Sequence, residues 1–173
     1  MEQRTGILAT NTPSWLARDM VALANIASHH TVLEPSAGTG AIIEALSETA
    51  KWGITAIELN KENFIKLKKS FPYYDVVYLN KDFMRYDFEG ASFDRIVMNP
   101  PHNHCLTHFV KAAELLSSGG RIVALFHKNY STSIQEIYAD TWLDVRLYSC
   151  DSKTFVLPSG ENIEASIIVG DKV

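Results

Sequence analysis

The sequence predicts one α/β domain: a doubly wound, mostly parallel sheet of seven strands with helices on both faces and an antiparallel terminal strand pair. Three observations predict it. Strand-like and helix-like segments alternate along the whole chain. A glycine-rich turn, Gly38-Thr39-Gly40, follows the first strand and opens a helix. Successive strands end in residues able to hold a ligand, which is where an open parallel sheet binds one. With 173 residues the chain has room for one sizeable core and not for two, so residues 1–173 are expected to form a single domain.

Each element has its own signal. Thr12 followed by Pro13 reads as an N-cap and first helical residue; Leu16, Met20, Leu23, Ala24 and Ala27 then recur at helical spacing to an end near His29-His30. Thr31 to Glu34 is a short strand leading into Pro35-Ser36-Ala37-Gly38-Thr39-Gly40, and a helix runs from about Ala41 to Ala50. Gly53 to Leu59 is the second strand, Phe64, Ile65 and Leu67 mark a helix, and Asp75 to Leu79 is the third strand. Phe93 to Met98 is the fourth, ending at Asn99-Pro100-Pro101. Leu106, Phe109, Val110, Ala113 and Leu116 give an amphipathic helix stopped by Gly119-Gly120. Arg121 to Phe126 is a nearly all-apolar fifth strand; a short helix around Ile134 to Tyr138 and strands at about Trp142 to Tyr148 and Ile163 to Val169 complete a Rossmann-like arrangement.

Composition bounds the function. The apolar fraction of 46% and charged fraction of 21% are those of an ordinary globular protein. No apolar run is long enough for a bilayer and the N-terminus lacks the regions of a signal peptide, so no membrane is expected and the cytoplasm is. Cys105 and Cys150 lie far apart without metal-type spacing, which suits reduced thiols. A net charge of −4 argues against a broad phosphate-gripping surface. Any nucleic acid must meet a local basic patch or be brought by a partner.

Three strand ends together describe a nucleoside pocket. Gly38 and Gly40 let backbone approach a ligand, and the helix that follows favours a carboxylate. Glu58, about twenty residues on, can accept from both hydroxyls of a ribose. At Asp82-Phe83 a carboxylate could take an adenine amino proton while a ring covers the base. Next comes Asn99-Pro100-Pro101-His102. Two prolines make a rigid loop with few donors. The Asn99 side-chain oxygen and the Pro100 carbonyl can both accept from one amino group, drawing its nitrogen lone pair out of conjugation, and His102 would stack on the flat substrate.

Thr12-Pro13, Val32-Leu33-Glu34-Pro35 through Gly40, Ile57-Glu58-Leu59-Asn60, Asp82-Phe83 and Asn99-Pro100-Pro101 resemble the ordered motifs of class I amino-methyltransferases. With the Thr-Pro helix first, the order is similar to the gamma group of DNA adenine methyltransferases. The resemblance implies that Thr12, Glu34, Ser36, Gly38, Gly40, Glu58, Asp82 and Phe83 hold S-adenosylmethionine. It also implies that Asn99, Pro100 and His102 hold the acceptor, with Phe155 against the target base. The acceptor would be the exocyclic amino group of adenine in nucleic acid, DNA ahead of RNA. No general base is required, because the sulfonium is already activated and catalysis is mostly positioning. A duplex adenine would have to be flipped out.

The chain departs from that family twice. The fourth residue of the tetrapeptide, normally Tyr, Phe or Trp, is His102. No separate target-recognition domain is evident, so specificity is expected from a partner subunit, a homodimer or tolerance of flanking sequence. His102, His104 and His108 lie close together but lack a further ligand at suitable spacing, so no metal site is expected. Lys61, Lys66, Lys68 and Lys69 read as a solvated helix face, and Lys128-Asn129 as a loop at the ligand edge. Two other readings stay open: a methyltransferase for RNA or a protein glutamine amide, and a binding or inhibitory protein of the same fold without turnover.

Overall fold

The computed structural model describes residues 12–49, 53–72, 75–139, 141–149, 155–156, 162–163 and 165–173. The elements run α1 (Ser14–Ala24), β1 (Val32–Glu34), α2 (Ala41–Ser47), β2 (Ile54–Ile57), α3 (Lys61–Ser70), β3 (Val76–Leu79) and β4 (Phe93–Met98). A 3-10 turn (His102–His104) leads into α4 (Cys105–Glu114). Then follow β5 (Leu116–His127), α5 (Lys128–Tyr138), β6 (Leu143–Ser149), β7 (Phe155–Val156), β8 (Asn162–Ile163) and β9 (Ala165–Lys172).

The main sheet has seven strands in the order β3-β2-β1-β4-β5-β9-β6. The first five are mutually parallel, while β9 runs antiparallel to both β5 and β6. The expected sheet is therefore present, and β7 with β8 adds a small separate pair that the sequence did not announce. Strand alternation divides the core in two. Val97, Val123, Leu125, Ile167 and Val169 pack with α1, α2 and Leu67 of α3. Ile96, Met98, Ile122, Phe126 and Ile168 turn to the other face, against Phe109 of α4 and Ile134 of α5. Both faces are covered, as a parallel sheet requires. Strand order reverses between β1 and β4, so their carboxyl ends diverge and open a crevice.

Several boundaries differ from expectation. Thr12 is not the N-cap: Pro13 holds that position, and its carbonyl accepts from the Leu16 and Ala17 amides at 3.0 and 2.9 Å. Helix α1 stops at Ala24 because Asn25 turns left-handed with φ 48°, a conformation asparagine tolerates better than most residues. Helix α2 closes at Ser47, short of the expected Ala50. Gly119-Gly120 does not stop α4, which ends at Glu114. The glycines lie inside β5 at an irregularity, where Phe93 pairs with Leu116 and Arg95 with Arg121. Gly119 has φ 71°, and a Cβ on Gly120 would meet the Ser117 carbonyl at 2.8 Å. Helix α5 begins directly after β5, so Lys128 and Asn129 belong to its first turn.

Candidate active site

The carboxyl ends of β1, β2, β3, β4 and β5 surround one cavity of about 380 Å³. Its wall includes Thr12, Ser36, Gly38, Glu58, Asp82, Phe83, Asn99, Pro100 and His102, so most of the residues singled out in the sequence meet in one place. Glu34 and Gly40 stand behind that wall. Phe155 sits on β7, and its side chain lies outside the described residues.

The turn after β1 is held by Glu58. Its two carboxylate oxygens accept from the Gly38 amide and the Asn60 amide, both at 2.7 Å. One side chain thus ties the glycine turn to the end of β2, and each oxygen keeps a lone pair for a ligand hydroxyl. Asn60 in turn caps α3, accepting from the Glu62 and Asn63 amides at 2.9 and 3.0 Å. Gly40 needs to be glycine for local reasons. Its φ is 105°, and a Cβ there would lie 2.4 Å from the Phe71 ring and 2.7 Å from Leu67. The space a Cβ would need at Gly40 is taken by Leu67 of α3 and by Phe71.

Glu34 is completely buried. Its Oε1 accepts from the Ser36 amide at 3.1 Å, while Oε2 has no hydrogen-bond partner among the described residues. Burial pushes this carboxyl well above the usual carboxylate range; the Ser36 amide opposes the shift and the nearby Glu58 charge adds to it.

On the facing side, the Asn99 amide donates from Nδ2 to the Thr12 hydroxyl at 3.0 Å. This contact joins residues 87 positions apart and fixes the amide's rotation. Thr12, read as a cap and cofactor ligand, acts here as a support for Asn99. Pro100 and Pro101 carry no amide proton, and the Pro101 carbonyl accepts from the His104 amide at 2.9 Å. His102 is exposed at the cavity mouth.

Asp82 accepts from the Met84 amide at 2.9 Å, shaping the turn that presents Phe83. Phe83 is buried against Phe88 and His108, with Lys111 Nζ 5.2 Å from its ring centroid. His108 donates to the His104 carbonyl at 3.0 Å, and burial holds its pKa below the usual imidazole range. Burial likewise pushes the Cys105 thiol up. Among the described residues no three His, Cys, Asp or Glu side chains gather as a metal site.

His127 also lines the cavity and was not singled out in the sequence; Leu59, Cys105 and His108 line it too, though the sequence offered Leu59 only as part of a motif, Cys105 only as a reduced thiol and His108 only as a weak metal-ligand candidate. Cys105 and His108 follow His102 at intervals of three, a helical signal that could have revealed them. Leu59, 61% exposed beside Glu58, is an apolar residue left uncovered at a ligand edge.

The donor set fits S-adenosylmethionine. There is a carboxylate at a strand end for a ribose, an apolar patch from Leu59 and Phe83 for a base, and a buried Glu34 carboxyl oxygen still without a partner among the described residues. Among the described residues no helix is long and apolar enough to cross a membrane.

Comparison with known proteins agrees. The fold resembles that of a candidate RNA methyltransferase from Pyrococcus horikoshii, with TM-score 0.77 and 19% identity over 100% of this chain and 92% of the other. An rRNA methylase from Streptococcus thermophilus aligns with TM-score 0.68 and 14% identity, over 94% of this chain and 98% of that one. The modification subunit of a candidate type I restriction enzyme from Vibrio vulnificus aligns with TM-score 0.74 and 13% identity, over 98% of this chain and 46% of that one. A search of curated proteins by sequence gives no match. The model of the methyltransferase domain matches residues 32–120, just over half of the chain. The chain belongs to the methyltransferase-domain family, and its cofactor is S-adenosylmethionine.

Proposed function

We propose that this methyltransferase transfers a methyl group to the exocyclic amino group of adenine in nucleic acid. The observation that carries the reading is Asn99-Pro100-Pro101 at the end of β4, sharing a cavity with Glu58 and Gly38 and braced by Thr12. Glu58 would take the ribose hydroxyls, Leu59 and Phe83 the adenine ring with Asp82 at its amino group, and Gly38, Ser36 and Glu34 the methionine end. The cofactor supplies a methyl group already activated on a sulfonium. With its NH2 donating to Thr12, the Asn99 amide has a defined rotation, which suits its oxygen to accept from the acceptor amine. The Pro100 carbonyl is the second acceptor. Two acceptors on one amino group pull its lone pair out of the ring, and His102 at the mouth holds the base flat.

DNA is the first acceptor to test. A second reading, RNA, is favoured by the two fold relatives named as an RNA methyltransferase and an rRNA methylase. The decisive experiment offers radiolabelled S-adenosylmethionine with single-stranded DNA, duplex DNA, RNA and protein pools, followed by nucleoside analysis. Label in N6-methyladenine is expected. Label confined to protein, or to a base other than adenine, would overturn the reading, and absence of S-adenosylmethionine binding by calorimetry would overturn its basis.

A further inference from the structure

His102 belongs to a three-ring cluster that spans two strand ends. His127 is the last residue of β5, and Tyr130 lies in the first turn of α5. The His102 ring centroid is 5.1 Å from that of His127 and 5.7 Å from that of Tyr130, with planes inclined at 61° and 84°. His127 and Tyr130 are 6.4 Å apart at 74°. All three contacts are edge-to-face, the arrangement aromatic quadrupoles favour. At these separations the rings touch, so no ligand enters between them. His102 and His127 line the cavity, whereas Tyr130 stands outside its wall.

An exposed imidazole on a short turn has two problems as a stacking surface. It offers less area than the Tyr, Phe or Trp usual at that position, and by itself it would lose rotamer freedom on binding. The cluster addresses both. We propose that His127 is a second ring of the acceptor subsite and that Tyr130 is a positioning residue that orients His102, so the acceptor base is received by a jointed surface across β4 and β5. This rests on the acceptor reading above and extends it to two residues outside the tetrapeptide.

The test uses the full chain saturated with S-adenosylhomocysteine. The probes are short single-stranded oligodeoxynucleotides and oligoribonucleotides of adenine with a central 2-aminopurine. His127→Ala and Tyr130→Ala are each expected to weaken oligonucleotide binding roughly tenfold, the scale of one base–aromatic stack. Affinity for S-adenosylhomocysteine should change less than about twofold. Tyr130→Phe, which keeps the ring, is expected to bind as the wild type does. Tyr130→Ala added to His102→Ala is expected to cause no further loss, because Tyr130 acts through His102. The ring proton resonances of His102 supply a readout independent of acceptor binding: they should move in Tyr130→Ala and stay in Tyr130→Phe. Wild-type affinity in both alanine variants, or unmoved His102 resonances in Tyr130→Ala, overturns this proposal alone. A wild-type protein that takes S-adenosylhomocysteine but neither binds nor methylates any oligonucleotide overturns the acceptor reading and this proposal together.

Discussion

At the amino edge of the sheet the Asp94 carboxylate accepts from the Thr31 amide, the Thr31 hydroxyl and the Ser117 hydroxyl at 2.9, 3.0 and 2.8 Å. At the carboxyl edge the Glu34 carboxylate, more deeply buried, accepts once and leaves Oε2 without a partner among the described residues. The contrast extends to neighbours. Arg121 grips Asp171 with two nitrogens and also donates to the Leu23 carbonyl at 3.0 Å, Arg146 reaches the same Asp171, and Lys172 donates to the Leu116 carbonyl at 2.6 Å. Across the sheet, Glu58 faces a cavity, and His102 and Leu59 lie exposed. At one edge the carboxylates are fully engaged by protein donors; at the other a buried carboxyl oxygen stands without a partner among the described residues. Because buried polar groups are normally satisfied, that oxygen marks the carboxyl edge as the candidate ligand edge.

Four substitutions probe that contrast. The largest effect is expected from Asn99→Ala: turnover falls roughly 100-fold or more, the scale for losing one aligned polar group on a reacting atom. Cofactor affinity by calorimetry stays near wild type, and normal turnover would reduce the tetrapeptide to a turn. Glu58→Ala removes a ribose acceptor and frees the Gly38 and Asn60 amides, so cofactor affinity is expected to drop by about 1–3 kcal/mol. A variant with intact affinity would show that Glu58 serves only the backbone.

Asp94→Asn on the opposite edge should cost about 1–3 kcal/mol of stability and leave kinetic constants unchanged at a temperature where the variant is folded. The Thr31 amide bond, with help from the Ser117 and Thr31 hydroxyls, holds the Asp94 carboxyl below the usual range. Its stabilisation is thus present above that range and is lost as pH falls through the depressed value, so denaturant titrations should show wild type and variant converging in acid. Glu34 carries the opposite sign and the smallest effect. Its raised pKa means that the folded state holds a proton the unfolded chain gives up, so its contribution is full below the ordinary glutamate range and fades as pH rises. The stability difference between Glu34→Gln and wild type should move in the variant's favour from pH 5 to pH 9; a flat difference would mean that Glu34 stays ionised.

What was legible in the sequence was local. The glycine turn, Glu58 at a strand end and Asn-Pro-Pro could be read because each is a short run whose chemistry and conformation sit in adjacent residues. The helix cap was misread at Thr12 because Thr-Pro looks like a helix start, while its side-chain partner, Asn99, is far away in the chain. Gly119-Gly120 misled because a helix stop and a strand irregularity both call for glycine. Asn25 ended α1 although apolar residues continue to Ala27 at helical spacing. His127 and Tyr130 carried no signal, since only the pairing of β4 with β5 brings them beside His102.

The position of β9 has a consequence in time. It lies between β5 and β6, and β6 meets the sheet only through it. During synthesis β6 emerges first and must wait, unpaired, until residues 165–172 leave the ribosome. Such non-local pairing is slow and leaves strand edges open to wrong partners in the interval. Ala165, at the start of β9, is also part of the cavity wall. The cavity wall is therefore completed only once β9 has joined β5, so a nascent chain carries the candidate ligand groups of all five parallel strands before it can close around a cofactor.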